Sequence, residues 1–398
     1  MSFKEFTIDN CCYILNNLRF PINSEQRFEM KGEYPYYGAN GVQDYINKWK
    51  FDDDLILIAE DGGNFEQYSF KPIAYRVKGK CWVNNHAHVL KAKEDFSQGF
   101  IFYSLEHKNI LFFIAGGTRS KLTQNELKKI TLNIPLKNEA ERIREILEAT
   151  DEAIGHTESL IAKYQRIKTG LMQDLLTKGI DENGNIRSKE THKFVVRNGI
   201  EVPEEWEVFN LKDLGNIVTG FTPVVKQIDN YGDDYCFITP SDVTENQFIQ
   251  TTARKLSHKG FELCRHLPEN SVCVVCIGST IGKIAMVKEL STSNQQINSL
   301  IPTDFHLSVY YYYSMMLYLG SQLRREAGLQ AVPIVNKSSF SKMIIPVPKN
   351  KEESLRIINL INEVQQVFET YNKYLKKLHS LKAGLMQDLL SGKVRVKI

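Results

Sequence analysis

The chain has 398 residues, 42% of them hydrophobic and 24% charged, which suits a soluble protein long enough for two cores. A formal net charge of +3 excludes a histone-like binder that holds nucleic acid by bulk charge. Seven scattered cysteines, no signal peptide and no apolar run of transmembrane length exclude a disulfide scaffold and a membrane protein, and point to the cytoplasm with free thiols.

Residues 1–136 read as a first globular domain of short strands and turns. Leu55 to Ile58 is a strand stopped by Asp61-Gly62-Gly63, and Ile73 to Val77 is another. His86 and His88 share one strand face, and a helix follows with Phe100 to Leu105. Beyond Pro135, residues 137–178 carry a heptad seam: Ile143, Leu147, Thr150, Ile154, Thr157, Ile161, Tyr164, Lys168, Leu171 and Leu175. Gly179 stops the helix and residues 179–205 form a linker. The second domain, 206–349, has strands at Phe237-Ile238, Val272 to Ile277 and Ile284 to Val287. Tyr310 to Tyr313 fall on its helix, where half are expected to face inward. Past Pro348, residues 350–392 repeat the seam with Ile357, Ile361, Val364, Phe368, Tyr371, Leu375, Leu378, Lys382, Leu385 and Leu389, then Gly392 and a tail, 393–398. Each helix of about 38 residues is roughly 57 Å long.

The two halves are copies. Gly-Leu-Met-Gln-Asp-Leu-Leu stands at 170–176 and again at 384–390, and at the same offset of 214 residues 142–178 run against 356–392 without a gap. Upstream the offset becomes 213, setting Leu127 to Ile130 against Phe340 to Met343, and then 210, setting Asn84 to Leu105 against Asn294 to Met315. A period above 200 means duplicated domains. Because the linker is short, the second helix must run back along the first, so the pair is expected to be antiparallel and pseudo-twofold. The expected class is α+β: two domains of antiparallel, barrel-like sheet plus helices, separated by a long two-helix coiled coil.

Two features of the helices stay open. The seam lysines Lys168 and Lys382 either snorkel outward or mark register. An added apolar row, Ile146, Leu160 and Ile167 with Leu360, Tyr374 and Leu381, packs on the chain's own domains, docks a partner, or does both.

Catalytic readings fail in turn. Gly278 to Ile284 approximates a phosphate-binding loop but has one residue too few between its glycines and no Ser or Thr after Lys283. Cys273 and Cys276 lie near His258, Cys264 and His266, yet positions i and i+3 of a strand face opposite sides, which favours buried free thiols over zinc. His86 and His88 align with Gln296 and Asn298, poor ligands, although all four suit hydrogen bonds to a base edge or to a neighbouring loop. With no methyltransferase motif and no nuclease cluster, no catalysis and no metal are expected.

The segment Leu171 to Ile180, the linker up to Val202-Pro203-Glu204-Glu205-Trp206, Gly220-Phe221-Thr222-Pro223 and Tyr34 to Gly41 resemble the specificity subunits of type I restriction–modification systems. The resemblance covers nearly the whole chain. It departs where a Glu-Gln pair commonly follows the proline: here stand Glu139-Ala140 and Glu352-Glu353, to which no role is given.

The resemblance implies a non-catalytic subunit of a DNA adenine methyltransferase and restriction complex, active in phage defence. Each domain would read half of a bipartite target in double-stranded DNA, with half-sites about one helical turn, roughly 34 Å, apart. The helices would act as spacer and dock two methyltransferase subunits through Ile143, Ile154, Ile161, Leu171, Leu175, Ile357, Phe368, Leu375, Leu385 and Leu389. S-adenosylmethionine, ATP and Mg²⁺ would belong to those partners and to the restriction subunits joined through them.

Polar residues on glycine-rich turns are then the DNA-contact candidates: Tyr37, Asn40, Arg119 and Lys121 in the first domain, and Thr222, Ser241, Ser279, Thr280, Lys283, Asn336 and Lys337 in the second. Arg119 suits guanine, Asn40 or Asn336 adenine, and the lysines phosphate or guanine. The alternative is a coiled-coil scaffold with two ligand- or protein-binding domains and no DNA target.

Overall fold

The computed structural model describes residues 3–115, 120–327 and 333–397. It divides into two compact units, one of Met1–Leu160 with Tyr371–Ile398 and the other of Ile161–Thr370, so both long helices are shared between units.

In the first unit, β1 (Lys4–Thr7) leads through a single turn, α1 (Ile8–Cys11), into β2 (Cys12–Ile14). After α2 (Ser24–Glu29) come β3 (Lys31–Gly38), β4 (Gly41–Ile46), β5 (Phe51–Ala59), β6 (Ala74–Val83) and β7 (Ala87–Ala92). They form a six-stranded sheet ordered β2-β7-β5-β6-β3-β4. Then follow α3 (Gln98–Glu106), α4 (Gln124–Lys129) and β8 (Thr131–Ile134), which pairs with β1. Central β5 is buried on both faces, Ile56 and Ile58 toward α3 and Leu55 and Leu57 toward a second cluster with Val77 and Val89. α5 (Lys137–Thr177) leaves this unit.

The second unit opens with a hairpin, β9 (Phe194–Arg197) and β10 (Ile200–Pro203). β11 (Trp206–Asn210), α6 (Leu211–Leu214) and β12 (Gly215–Thr219) follow. Next come β13 (Tyr231–Ile238), β14 (Lys255–Leu256), α7 (His258–Glu262), β15 (Val272–Val275), β16 (Ile284–Met286), β17 (Ser291–Ser293) and β18 (Ile297–Pro302). The four-stranded sheet runs β12-β18-β15-β16 beside a three-stranded one, β14-β13-β17. α8 (Ser308–Ala327), α9 (Lys337–Ser341), β19 (Ile344–Pro348) and α10 (Lys351–Leu390) complete the chain, with β19 paired to β11. Among the described residues the named strands pair antiparallel except for β3 with β6 and β13 with β17, parallel neighbours that alternation alone does not foretell.

Strand pairing extends the duplication past what identity reveals. β1 pairs with β8 as Lys4↔Ile134 and β11 with β19 as Trp206↔Pro348, which places the first strands at an offset near 203. β5 meets β7 as Ile56↔Leu90 and β15 meets β18 as Val272↔Leu300, an offset of 216 for the central strands.

One expectation is corrected. Tyr310, Tyr311, Tyr312 and Tyr313 are all buried, not half of them. α8 is covered on several sides: Tyr310 Oη donates to the Pro346 carbonyl (3.2 Å), Tyr313 Oη to Gln247 (3.3 Å) and Tyr318 Oη to the Leu176 carbonyl (3.0 Å). Burial alone pushes the Tyr318 hydroxyl well above its usual range.

The long helices run antiparallel within each unit. In the first, Lys382 Nζ lies 2.9 Å from Asp151 and 3.0 Å from Glu106; in the second, Lys168 Nζ donates to Gln365 Oε1 (2.5 Å). Both seam lysines therefore bond across the helix pair and mark register. Ile143, Ile154 and Leu389 are buried in the first unit, Leu175 and Ile357 in the second; Ile161, Leu171, Phe368, Leu375 and Leu385 are half-buried. The heptapeptide copies pack as the antiparallel reading requires. Leu171, Met172, Leu175 and Leu176 join the second unit's core, and Leu385, Met386, Leu389 and Leu390 the first's.

Each helix ends at a glycine with positive φ, Gly179 (65°) and Gly392 (72°). A Cβ on Gly179 would lie 2.6 Å from Trp206, and one on Gly392 would lie 2.9 Å from Phe3. The chain then folds an arginine back onto the start of the other helix. Arg187 pairs with Glu353 in the second unit (2.5 and 3.1 Å), and Arg395 with Glu139 in the first (2.6 Å to each oxygen). These are the acidic positions to which the sequence assigned nothing.

The Arg395 hydrogen bonds, working against a smaller burial cost, hold the Glu139 carboxyl below the ordinary range. A carboxylate whose folded pKa is depressed adds stability that is present above the unfolded value, about 4.3, and lost as pH falls through the folded one. Glu139→Gln is therefore expected to flatten the loss of melting temperature between about pH 5 and pH 3. An unaltered acid limb would place the acid sensitivity elsewhere.

Candidate nucleic-acid interface

The first unit gathers polar groups where β5 ends. Asn40, on the β3–β4 turn, donates its amide to the Gly62 carbonyl (2.9 Å). Asp61 forms a bridge with Lys121, and Gly62 N donates to the Ser120 carbonyl (3.3 Å). His86 Nδ1 lies 2.8 Å from Asp61 Oδ1. Asn40, Gln43, Asp61, Gly62 and His86 line a polar cavity of about 280 Å³. Lys121 Nζ reaches Glu60 at 3.4 Å. Burial opposes the charge of Glu60, but the Arg19 hydrogen bond, with His88 and Lys121, outweighs it and holds that carboxyl below its usual range. Tyr37 instead packs half-buried against the core, and Arg119 lies outside the described residues.

The histidine and amide pairs now separate. His88 is buried and bonds inward, to Asn16 (2.9 Å) and to the Leu122 carbonyl (2.8 Å). Its repeat partner Asn298 does the same, accepting from Thr219 (2.6 Å) and donating to the Val335 carbonyl (3.3 Å). These two are frame residues. Burial, the largest influence on His88, lowers its pKa and favours the neutral ring. His86 and Gln296 stay half-exposed on the same turn, each backbone N–H held by the side chain of Asn84 or Asn294.

In the second unit the candidates fall around two turns. Thr222 Oγ1 donates to Gln295 (2.6 Å), and Ser241 bonds Thr239 (2.9 Å) at the end of β13, where Asn294 N donates to the Ile238 carbonyl. Ser279 and Thr280 lie on the β15–β16 hairpin, whose Gly278 and Gly282 have positive φ. That turn joins two strands and opens no helix, so it lacks the N-terminal amides that cradle a phosphate. Lys283 is exposed beside a cavity of about 200 Å³ with Glu245 and Tyr312.

Asn336, exposed at the start of α9, has a structural task of its own. It caps α9, its side-chain oxygen accepting from Ser339 N (2.9 Å), so one acceptor lone pair is already committed. Lys337 begins the same short helix and is exposed. Cys273 and Cys276 belong to different clusters on opposite faces, and burial raises their thiols to about 12 and about 11. No group of three or more metal-ligating side chains occurs among the described residues. Nor is any helix there long and apolar enough to cross a membrane.

The two units thus share a duplicated frame and carry unlike side chains at the matching half-exposed turn positions His86 and Gln296. The profile of the family described as type I restriction modification DNA specificity domain matches residues 2–164 and 203–379, and the chain belongs to that family. A putative type I restriction enzyme specificity subunit of Haemophilus influenzae is 40% identical over 143 residues, 36% of each chain. A putative specificity subunit of Methanocaldococcus jannaschii is 24% identical over 318 residues, 75% of this chain and 68% of its own. The stretch shared with the Haemophilus relative thus spans about a third of that protein's length. The crystal structure of a type I restriction-modification S subunit from M. genitalium has the same fold over 100% of this chain and 97% of its own, with a TM-score of 0.64 at 13% identity.

Proposed function

We propose that this chain is the DNA-specificity subunit of a type I restriction–modification complex, each unit reading one half of an interrupted duplex target. The observation that carries the reading is the contrast between frame and tips. The two units share strand register and buried hydrogen bonds, yet differ at half-exposed turn positions such as His86 and Gln296. A protein with two copies of one reader and two different words to read is built that way.

The helices supply the assembly role. Ile167 (42% exposed), Tyr374 (49%) and Leu381 (51%) leave an apolar row uncovered, while Ile146 and Leu360 pack on the cores. Two methyltransferase subunits dock there, bringing S-adenosylmethionine, and the restriction subunits join through them with ATP and Mg²⁺. Net charge of only +3 fits a subunit whose partners supply much of the positive clamp on phosphate.

The test is a methylation map of cells carrying the chain with its methyltransferase partner, compared with cells lacking it. A two-part motif is expected, and exchanging residues 1–135 for another recognition domain should alter one half alone. If no motif appears, or both halves change together, the reading fails.

A further inference from the structure

The tips of the two units can be superposed residue by residue through their backbone hydrogen bonds. Glu60 N donates to the His86 carbonyl, Leu122 N to Glu60, and Gly62 N to Ser120. In the second unit Cys276 N donates to the Gln296 carbonyl, Val335 N to Cys276, and Gly278 N to Pro333. The bridge Asp61↔Lys121 has its counterpart in Ile277↔Ile334. The backbone is the same, but the side chains are a carboxylate, an imidazole and an ammonium in one unit and Ile277, Gln296 and Ile334 in the other. Burial does not demand the difference. His86 is 39% exposed, Lys121 50% and Ile334 47%. Ile334 is exposed and Ile277 half-buried, and neither belongs to the core clusters of its unit.

We propose that these matched trios are the base-reading surfaces: Asp61, His86 and Lys121 read a G·C pair in the first unit's half-site, and Ile277, Gln296 and Ile334 read an A·T pair in the second's. The proposal rests on the bipartite DNA reading above. The major-groove code supplies the assignment. Guanine offers the N7 and O6 acceptors to Lys121, and cytosine offers its N4 amino donor to Asp61 or to the Nε2 acceptor of a His86 whose Nδ1 faces Asp61. The Gln296 amide can pair with adenine N6 and N7 while an isoleucine covers the thymine methyl. Asn294 donates to Gln296 Oε1 at 3.0 Å and orients that amide, leaving the oxygen a second lone pair.

The experiment maps methylation by the full chain with its methyltransferase partner, using the wild type, D61I/K121I, the milder D61N/K121Q, and Q296A. Wild-type halves are assigned to units by the exchange of residues 1–135. The expected result is a G·C pair in the first unit's half whose preference falls roughly 10-fold or more in both double variants, with the second half unchanged. Q296A should relax an A·T position in the second half alone. The inference is overturned if variants that melt with the wild type keep the wild-type motif, or if the first half contains no G·C pair. Absence of any two-part motif from the wild type would instead sink the functional reading beneath it.

Discussion

Glu353→Ala is expected to destabilise the second unit by about 3–5 kcal/mol, the range for removing one partner of a buried ion pair. Glu353 and Arg187 are 7% and 8% exposed, and the carboxylate collects four donors: both terminal nitrogens of Arg187, Trp206 Nε1 (3.0 Å) and Ile180 N (3.1 Å). Truncation strands a guanidinium and two N–H groups without water, and the stranded groups cost more than the lost contact. Two controls follow. Arg187→Met combined with Glu353→Met should recover most of the loss, because no charge is left unpaired. Glu353→Gln should fall between. Urea denaturation read by Trp206 fluorescence, with Trp49 and Trp82 changed to Phe, would follow this unit. A loss below about 1 kcal/mol would mean that water enters the junction and restores solvation.

This junction was closed to sequence reasoning for a definite reason. Its partners are 166 residues apart, and only the fold makes them neighbours. The helices were legible because their period survives without tertiary information: Pro135, the four-and-three seam and Gly179 bracket a 41-residue helix. The duplication was legible where an unbroken offset of 214 joined identical residues. It faded toward the N-terminus, where insertions move the offset to 216 and near 203 and only strand register restores it. In the sequence Asp61 marks the end of a strand and nothing more. Its equivalence to Ile277 has no trace in residue type, since the likeness is wholly backbone. Turn chemistry places Asn40, Lys121 and Asn336 alike on exposed loops, but the capping of α9 by Asn336 is visible only in the fold.

The seam lysines should respond oppositely to the same substitution. Lys382→Met is expected to cost about 2–3 kcal/mol, because Glu106 (12% exposed) and Asp151 (35%) would face each other without the ammonium between them. Burial works against the Lys382 charge, but Glu106 and Asp151 outweigh it and raise the pKa. Its contribution is complete below the unfolded value, about 10.4, and disappears as pH rises through the folded one. Lys168 has one neutral hydrogen-bond partner, Gln365, and burial outweighs the attraction of Glu369, so its pKa is lowered. Here the charge is a cost below the folded pKa and is relieved as pH rises through it. Lys168→Met should therefore fall within about 1 kcal/mol of wild type, or above it, since methionine keeps the stem that fills the seam. Melting of the two variants at neutral pH decides the matter. Equal losses would mean that both lysines act through packing alone. A loss confined to Lys382→Met would show that one duplicated position holds register by charge in the first unit and by a single amide in the second.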